Sequence, residues 1–192
     1  MSNATTTTDV ITPVPGVTQG TWEVDVAHST ISAVARHMMI TKVRGYFHTF
    51  SGSVRIGPTL EETVAEASID AGSIDTRQQM RDDHLRSPDF LDVGNHPSID
   101  FRSATIEEAG ERRYRVTGDL TIRGVTKPIV LEAEFGGVKV NPYGKTVAFV
   151  SAVADLDRES FGMTWNQVIE SGGVLVSKRF KLELELQLVK SE

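Results

Sequence analysis

Several features that would narrow the function of a chain are missing from these 192 residues. There is no cysteine, which excludes disulfides and thiolate chemistry but fits any cellular compartment. Asp and Glu outnumber Lys and Arg, which gives a formal net charge of −6. Nucleic-acid binding needs clustered Lys and Arg, so we expect no nucleic-acid partner. No run approaches the roughly 20 apolar residues of a membrane span, so we expect no integral membrane protein.

Motifs of common enzyme classes are missing as well. The sequence contains no G-x-G-x-x-G and no P-loop, which removes support for nucleotide binding. It also lacks the G-x-S-x-G elbow of many hydrolases. Ser29 follows His28 and aspartates are plentiful, so a hydrolase stays open as an alternative, although a triad is recognised by geometry. No pair among the five histidines has the spacing of a local metal clamp, so we predict no metal site.

The first 20 residues differ in composition from the rest of the chain. They contain a Thr run with Pro13 and Pro15, and neither the basic nor the apolar region of a secretory signal. We therefore expect a flexible tail over residues 1–20, one domain over residues 21–190 and a cytoplasmic protein.

Alternating hydrophobicity is the dominant pattern in the chain. In residues 30–38, Ile31, Ala33, Ala35 and His37 fall on one face of a strand, so a histidine shares a face with apolar residues. Leucines alternate with charged or polar residues throughout residues 178–190, and strict period two favours a strand over a helix there. About eight such segments follow at short spacing. The pattern predicts an all-β protein, either a closed antiparallel barrel or a sandwich.

One segment departs from this alternation. Residues 76–93 are highly charged and lack β-branched runs, which predicts a short helix over residues 76–85. Asp75 is the predicted N-cap, with Gln78 in the capping-box position. Ser87 and Pro88 predict a second helical turn.

Five ordered blocks of the sequence match a known family pattern. They are W-x-V-D-x-x-H-S-x-I at 22–31, R-H-M-x-I-x-x-V-R-G-x-F at 36–47, S-I-D-T-x-x-x-x-R-D-x-H-L-R-S-x-D-F at 73–90, P-x-I-x-F at 97–101 and V-x-G-D-L-T-I-R-G-V-T-K-P at 116–128. Together they resemble the YceI-like family of polyisoprenoid-binding proteins, over about residues 20–190. The presence of several blocks in order makes the resemblance more specific than any single motif.

The resemblance implies a lipocalin-like antiparallel β-barrel of eight strands with a helical insertion around residues 76–92. It implies an apolar pore that holds a long isoprenoid chain, such as a polyprenyl phosphate or an isoprenoid quinone. It also implies a carrier or storage role, no catalysed reaction and no cofactor beyond the bound lipid, and a homodimer is possible. A fatty acid or other amphiphile as ligand, a hydrolase-type enzyme on the same barrel and a fully packed structural barrel stay open as alternatives.

The inward phase of the predicted strands gives a set of candidate ligand-binding residues. These are Ile31, Ala33, His37, Phe47, Ala67, Ile69, Phe101, Leu120, Leu131, Phe135, Leu182 and Leu184, to which we add Trp165 from a loop. Ala33 and Ala35 are small and are expected to widen the pore. We expect one continuous apolar interior.

A bound lipid also needs partners for its polar end, because an unpaired buried polar group is costly. The candidates at strand ends and in the insertion are His37, Arg44, His84, Arg86 and Asn166. In the alternative interpretation, His84 and Arg86 only pair with Asp82, Asp83 or Asp89 and hold the insertion in place.

Overall fold

The computed structural model describes residues 12–170 and 172–191. Eleven strands and one α-helix follow one another within those residues. They are β1 (Gly20–Val24), β2 (Thr30–His37), β3 (Thr41–Phe47), β4 (Phe50–Ile56), β5 (Val64–Asp70), β6 (Ile74–Asp75), α1 (Gln79–Arg86), β7 (Ser98–Gly110), β8 (Arg113–Ile122), β9 (Val125–Val140), β10 (Thr146–Asp157) and β11 (Val176–Lys190). No helix in this part of the chain has the length and apolar character needed to cross a bilayer.

The strands close into a barrel. β11 pairs with β10 along one edge and with β2 and then β1 along the other. From β1 the ring continues through β4, β5, β7, β8 and β9 to β10. β1 with β2, β3 with β4, and β5 with β6 each form one interrupted barrel strand. The eleven segments therefore make a closed, eight-stranded antiparallel barrel, which confirms the predicted fold.

Aspartate side chains produce two of the interruptions. The Asp25 carboxylate accepts a hydrogen bond from the backbone N–H of Ala27, so the chain leaves β1 and forms a short 3₁₀ turn before β2. Asp70 accepts from the backbone N–H of Gly72 in the same way and ends β5. An Asp side chain that mimics the backbone in this way favours a turn over a continued strand.

The helix prediction was correct in place but wrong in detail. The helix spans Gln79–Arg86, and its N-cap is Gln78, whose side chain accepts from the backbone N–H of Arg81. Asp75 instead lies in β6 and accepts from the N–H of Arg77, which has a left-handed φ of 64°. Because of this local turn, the helix begins three residues after its predicted start at residue 76. Ser87 ends the helix as its C-cap instead of starting a second helical turn.

The two ends of the barrel are closed differently. At the first end, which we call the insertion end, Ala71, Ile74 and Leu91 pack with Phe161 and Met163 into a dense core cluster. The other end, which we call the strap end, is covered by residues 12–19, the strap, and by the loop over residues 57–63. Val17 of the strap is only 4% exposed. The remainder of the predicted tail, residues 1–11, lies outside the described residues.

Candidate ligand-binding cavity

An apolar cavity of about 170 Å³ occupies the strap-end half of the barrel. Inward-facing residues of β1, β2, β4, β5 and β7–β11 form its wall, and the strap and the 57–63 loop close its end. The residues that line it are Val14, Val17, Trp22, Val24, Ile31, Phe50, Ser51, Ser53, Val54, Ile56, Leu60, Thr63, Ala65, Glu66, Ala67, Phe101, Ile106, Tyr114, Val116, Leu131, Ala133, Phe135, Ala148, Val150, Ala152, Leu184, Leu186 and Leu188. A concave site with this predominance of apolar side chains suits the hydrocarbon part of a ligand.

Tyr114 places a polar group in this apolar wall. It belongs to the inward phase of β8 and is only 7% exposed. No hydrogen bond of its hydroxyl to another described residue is found. Burial raises the pKa of the Tyr114 phenol above its ordinary value, and the nearby Glu108 carboxylate adds to the increase. The phenol is therefore neutral near pH 7 and acts as a hydrogen-bond donor or acceptor.

Two side chains hold the strap and its surroundings in position. The indole Nε1–H of Trp22 donates to the Thr18 carbonyl at 2.9 Å, and Lys190 donates to the Thr18 hydroxyl at 2.7 Å. Beside Tyr114, Arg112 donates through Nε to the Phe135 carbonyl at 3.0 Å, and its guanidinium lies 5.6 Å from the centre of the Phe135 ring. The strap end thus combines an apolar interior with two cationic side chains near its edge, those of Arg112 and Lys190.

The insertion-end half of the barrel holds a cluster of buried apolar side chains, and one continuous apolar interior through both halves stays a prediction. Six of the predicted residues line the cavity: Ile31, Ala67, Phe101, Leu131, Phe135 and Leu184. Five others belong to the core cluster of the insertion-end half or pack against it: Ala33, Phe47, Ile69, Leu120 and Leu182. Bulky groups such as Phe161 and Leu156 fill that half. A role in ligand binding for these five residues stays a prediction.

His37 and Arg44 lie away from the cavity wall. His37 is the last residue of β2 and is exposed. Arg44 is on the outward phase of β3, where Nη1 bonds the Ser32 hydroxyl at 2.6 Å and the Glu183 carboxylate at 2.5 Å. That ion pair raises the pKa of Arg44. Contact of either side chain with a ligand head group stays a prediction.

The other head-group candidates bond to the protein itself. Arg86 donates through Nε to the Gly72 carbonyl at 2.8 Å and through Nη2 to the Ile74 carbonyl at 2.7 Å. It also forms an ion pair with Asp83, which is one of the pairings in the alternative interpretation. Arg86 therefore ties α1 to the turn that precedes it.

An aromatic cluster connects α1 with the loop that follows β10. His84 bonds Asp89 at 2.8 Å and contacts Trp165 edge to face, with ring centres 4.5 Å apart. Phe90 packs against both rings. Asn166 bonds the backbone of Val176 through both ends of its amide. These contacts give Trp165 and Asn166 a structural role, and their predicted contact with a ligand stays a prediction.

Arg158 is a buried residue that sequence reasoning missed. Its Nε donates to the Ser177 carbonyl at 3.0 Å, and the guanidinium lies 5.9 Å from the centre of the Phe90 ring. Nη2 has no hydrogen-bond partner among the described residues, and burial lowers the pKa of the group. Nothing in the sequence distinguishes this arginine from an exposed one, because it follows Asp157 at the end of a strand.

The residues considered for hydrolysis do not form a triad. The Ser29 hydroxyl accepts from the N–H of Gln187 and is directed toward that residue's carbonyl. His28 instead pairs with Asp25 at 2.8 Å. That bond lowers the pKa of the Asp25 carboxyl. A serine nucleophile requires a base within hydrogen-bond reach, and His28 does not fill that role for Ser29 in this arrangement.

The position of Tyr114 in the cavity wall follows from alternation, whereas that of other wall residues does not. Tyr114 shares the inward phase of Val116 and Leu120, and that alternation is visible in the sequence. Val14, Val17 and Leu60 were not accessible in this way, because they lie in segments without alternation. Their position depends on how the strap and the loop fold back over the barrel end.

Comparison with known proteins extends these observations. Residues 22–188 match the model of the YceI-like domain. A UPF0312 protein of Staphylococcus aureus (strain MSSA476) is 35% identical over 173 residues, which covers 88% of this chain and 96% of the relative.

Solved structures show the same barrel. BcnA of Burkholderia cenocepacia superimposes with a TM-score of 0.75 at 25% identity, covering 85% of this chain and 98% of that one. The YCEI protein of Campylobacter jejuni gives 0.70 at 30% identity, covering 82% and 90%. A domain of Saccharophagus degradans, described as a polyisoprenoid binding domain, gives 0.68 over 88% and 98% of the two chains. Its identity is only 13%, so this last similarity shows the fold alone.

Proposed function

The chain belongs to the YceI-like family, and on this premise we propose that it binds the hydrocarbon chain of an isoprenoid lipid in the strap-end cavity. The observation that carries the proposal is the cavity itself, which lies in the strap-end half of a closed barrel and has an almost entirely apolar wall. A barrel with a purely structural role is expected to be filled with side chains, because a void in a core loses packing contacts and lowers stability. The Saccharophagus degradans domain that is described as a polyisoprenoid binding domain has the same fold, and at 13% identity this likeness shows the fold alone.

We propose a carrier or storage role without catalysis. Each acid or base weighed for catalysis bonds to another protein group, as in the Asp25–His28 pair, and none of these pairs lines the cavity. The ligand under this proposal is a polyprenyl phosphate or an isoprenoid quinone. A cytoplasmic location and a homodimer stay predictions, which cell fractionation and light scattering of the purified protein test.

The polar end of the ligand is placed, under this proposal, at the strap end. Tyr114 offers a hydroxyl in the cavity wall, and Arg112 lies near the edge beside it. Binding at the insertion end, through His37 and its neighbours, is the competing arrangement. The two arrangements predict different effects of single substitutions, since a hydrogen bond to a head group contributes only when the head group is present.

Mass spectrometry of solvent extracts tests the ligand class directly. We expect a prenyl lipid in extracts of the purified protein, and less of it from Ala152→Phe, which adds a ring inside the cavity. Val153→Phe is the matched control, because the neighbouring side chain faces outward and is exposed. Extracts with only fatty acids, or with equal prenyl lipid from both variants, would contradict the proposal.

Affinity measurements on two variants locate the polar end. We expect Tyr114→Phe to lower the affinity for a prenyl phosphate or quinone about 3- to 20-fold, which corresponds to the loss of one hydrogen bond. The affinity for a plain prenyl hydrocarbon should be unchanged. We expect His37→Leu to change neither affinity, because His37 is exposed beyond the packed half. The reverse pattern, with selective weakening in His37→Leu, would place the head group at the insertion end.

A further inference from the structure

The turn between β2 and β3, which we call the tip (Met38–Ile40), exposes three large apolar side chains in succession. Met38 is 42% exposed, Met39 53% and Ile40 76%. Nearby, Met38 donates its backbone N–H to Leu175, which joins the tip to a loop that carries the exposed Val168. Single exposed apolar residues are ordinary on a protein surface, but a contiguous group at a protruding turn is typical of an interaction site.

The backbone conformation of the tip indicates that these side chains do not serve to stabilise the fold. Met38 and Met39 both have left-handed φ angles, 49° and 62°. Turns with such angles favour Asn and Gly, because a side chain on an L-residue is strained there. The chain therefore keeps two large apolar groups at positions where local structure favours small or polar ones. A local cost of this kind points to a role outside the fold.

Positive charge lies directly behind the tip. Arg36 and Lys42 are cross-strand partners on the outward face of β2 and β3. The Arg36 guanidinium donates to the Ile40 carbonyl at 3.0 Å, which holds it at the base of the turn. Neither side chain has an ion-pair partner within the described part of the chain. The neighbouring cations do have acidic partners, since Arg44 forms an ion pair with Glu183 and Lys181 lies 4.0 Å from Asp155.

We propose that the tip docks on a lipid bilayer that contains anionic lipids. Met39 and Ile40 enter the boundary between head groups and acyl chains, and Arg36 and Lys42 meet the phosphate groups. The charge is local, since the chain as a whole carries −6 and would be repelled by such a surface. A bilayer is also where an isoprenoid lipid resides, but docking goes beyond lipid binding in the cavity and does not depend on it.

Co-sedimentation with vesicles tests the docking. The double variant Met38→Asn, Met39→Gly supplies residues that the turn favours, so we expect its melting temperature to be equal to or above that of the parent. We expect the parent to sediment with vesicles of equimolar phosphatidylcholine and phosphatidylglycerol and not with phosphatidylcholine alone. The double variant is expected to bind the mixed vesicles at least about tenfold more weakly. Lys42→Gln is expected to weaken binding less, with a smaller salt dependence.

The matched control is Tyr143→Ser, which removes a side chain that is 89% exposed. Tyr143 lies in the β9–β10 turn at the opposite end of β11 from the tip, because β11 pairs with β2 near its start and with β10 to its end. Vesicle binding is expected to be unchanged in this control. The docking proposal is overturned if the parent protein does not bind mixed vesicles or binds both compositions equally. It is also overturned if the double variant binds mixed vesicles as strongly as the parent. Solvent extraction of the same double variant keeps the two proposals separate, since its cavity ligand is expected to be retained.

Discussion

At the scale of single residues, a glycine shapes one wall of the cavity. Gly118 lies on the inward phase of β8 opposite Ser103, and the ring of Phe101 covers it. A Cβ at this position would lie 2.6 Å from Cζ of that ring and closer still to the carbonyl of Arg102. The absence of a side chain at Gly118 therefore makes room for the Phe101 ring, which lines the cavity.

We expect Gly118→Ala to be destabilising and to reduce the cavity. The added methyl group meets backbone that cannot move freely, so overpacking should cost about 1–3 kcal/mol in the free energy of unfolding. Displacement of the Phe101 ring should also weaken binding of a prenyl ligand. Denaturant titration and ligand titration measure the two effects. Gly94→Ala is the control, because a Cβ at Gly94 meets no atom within 4 Å, and equal effects in both variants would refute the argument.

Gly45 shows why some residue roles could not be predicted from the sequence. A glycine inside a predicted strand, such as Gly45, often marks a bulge or a tight bend. The β2–β3 ladder is regular there, with Gly45 opposite Ala33. The glycine instead makes room for Ile74, whose Cδ1 would lie 2.7 Å from a Cβ. Alternation identifies the face of a residue, but the neighbour it accommodates comes from a distant segment.

At the scale of elements, the strap is held against the barrel by few hydrogen bonds. Within the described residues, its hydrogen bonds to the barrel are those of Trp22 and Lys190 to Thr18, and the rest of its attachment is the burial of Val14 and Val17. An element with few bonds to its surroundings opens at low free-energy cost. The strap is therefore the part of the wall that we expect to move when a ligand enters.

We expect Val17→Asp to release the strap without unfolding the barrel. A carboxylate at this buried position is costly, and detachment of the strap returns it to water. The release rate of a bound fluorescent fatty-acid analogue should rise several-fold, while the barrel keeps its far-UV circular dichroism. Val140→Asp adds the same charge at an exposed position of the same barrel end. An unchanged release rate in Val17→Asp, or an equal rise in both variants, would argue against entry through the strap.

Elements with strong alternation were predicted well, and those defined by side-chain caps were not. The strands predicted over residues 30–38 and 178–190 agree with β2 and β11 to within two residues at each end. Alternation does not show where a barrel strand is interrupted, as between β3 and β4 at His48 and Thr49. The helix begins three residues late because Asp75 closes a local turn. A capping side chain has several possible backbone partners in sequence, and only the fold selects one.

At the scale of the whole molecule, the candidate site could be predicted only in part. The inward phase of the strands was visible, and it correctly separates the interior from the surface for Ile31, Leu131 and Leu184. The sequence does not show which half of the interior is filled with side chains. That depends on Phe161 and Met163, which enter from the segment after β10, and on the insertion, which supplies Leu91. Period-two alternation carries no information on where along the barrel axis such segments end.

The division of the barrel into a packed half and an open half predicts how affinity depends on ligand length. Each added isoprene unit contributes up to about 4 kcal/mol while it is buried, on the basis of roughly 0.8 kcal/mol per carbon. Once the chain reaches the core of the insertion-end half, further units find no space. We therefore expect affinity to rise along a series of prenyl alcohols and then to level off, as measured by competition with a fluorescent ligand.

Two leucines at different depths test this division. Leu131 lines the cavity and also belongs to the packed cluster, so Leu131→Ala extends the cavity toward the insertion end. We expect the plateau to move to a longer prenyl chain, with a loss of about 2–5 kcal/mol in the free energy of unfolding. Leu120→Ala should lose a similar amount and leave the plateau where it is, because Leu120 lies in the cluster and does not line the cavity. Affinity that keeps rising with chain length in the parent protein would mean that the packed half opens to the ligand, and a shift in both variants would mean that the two halves act as one cavity.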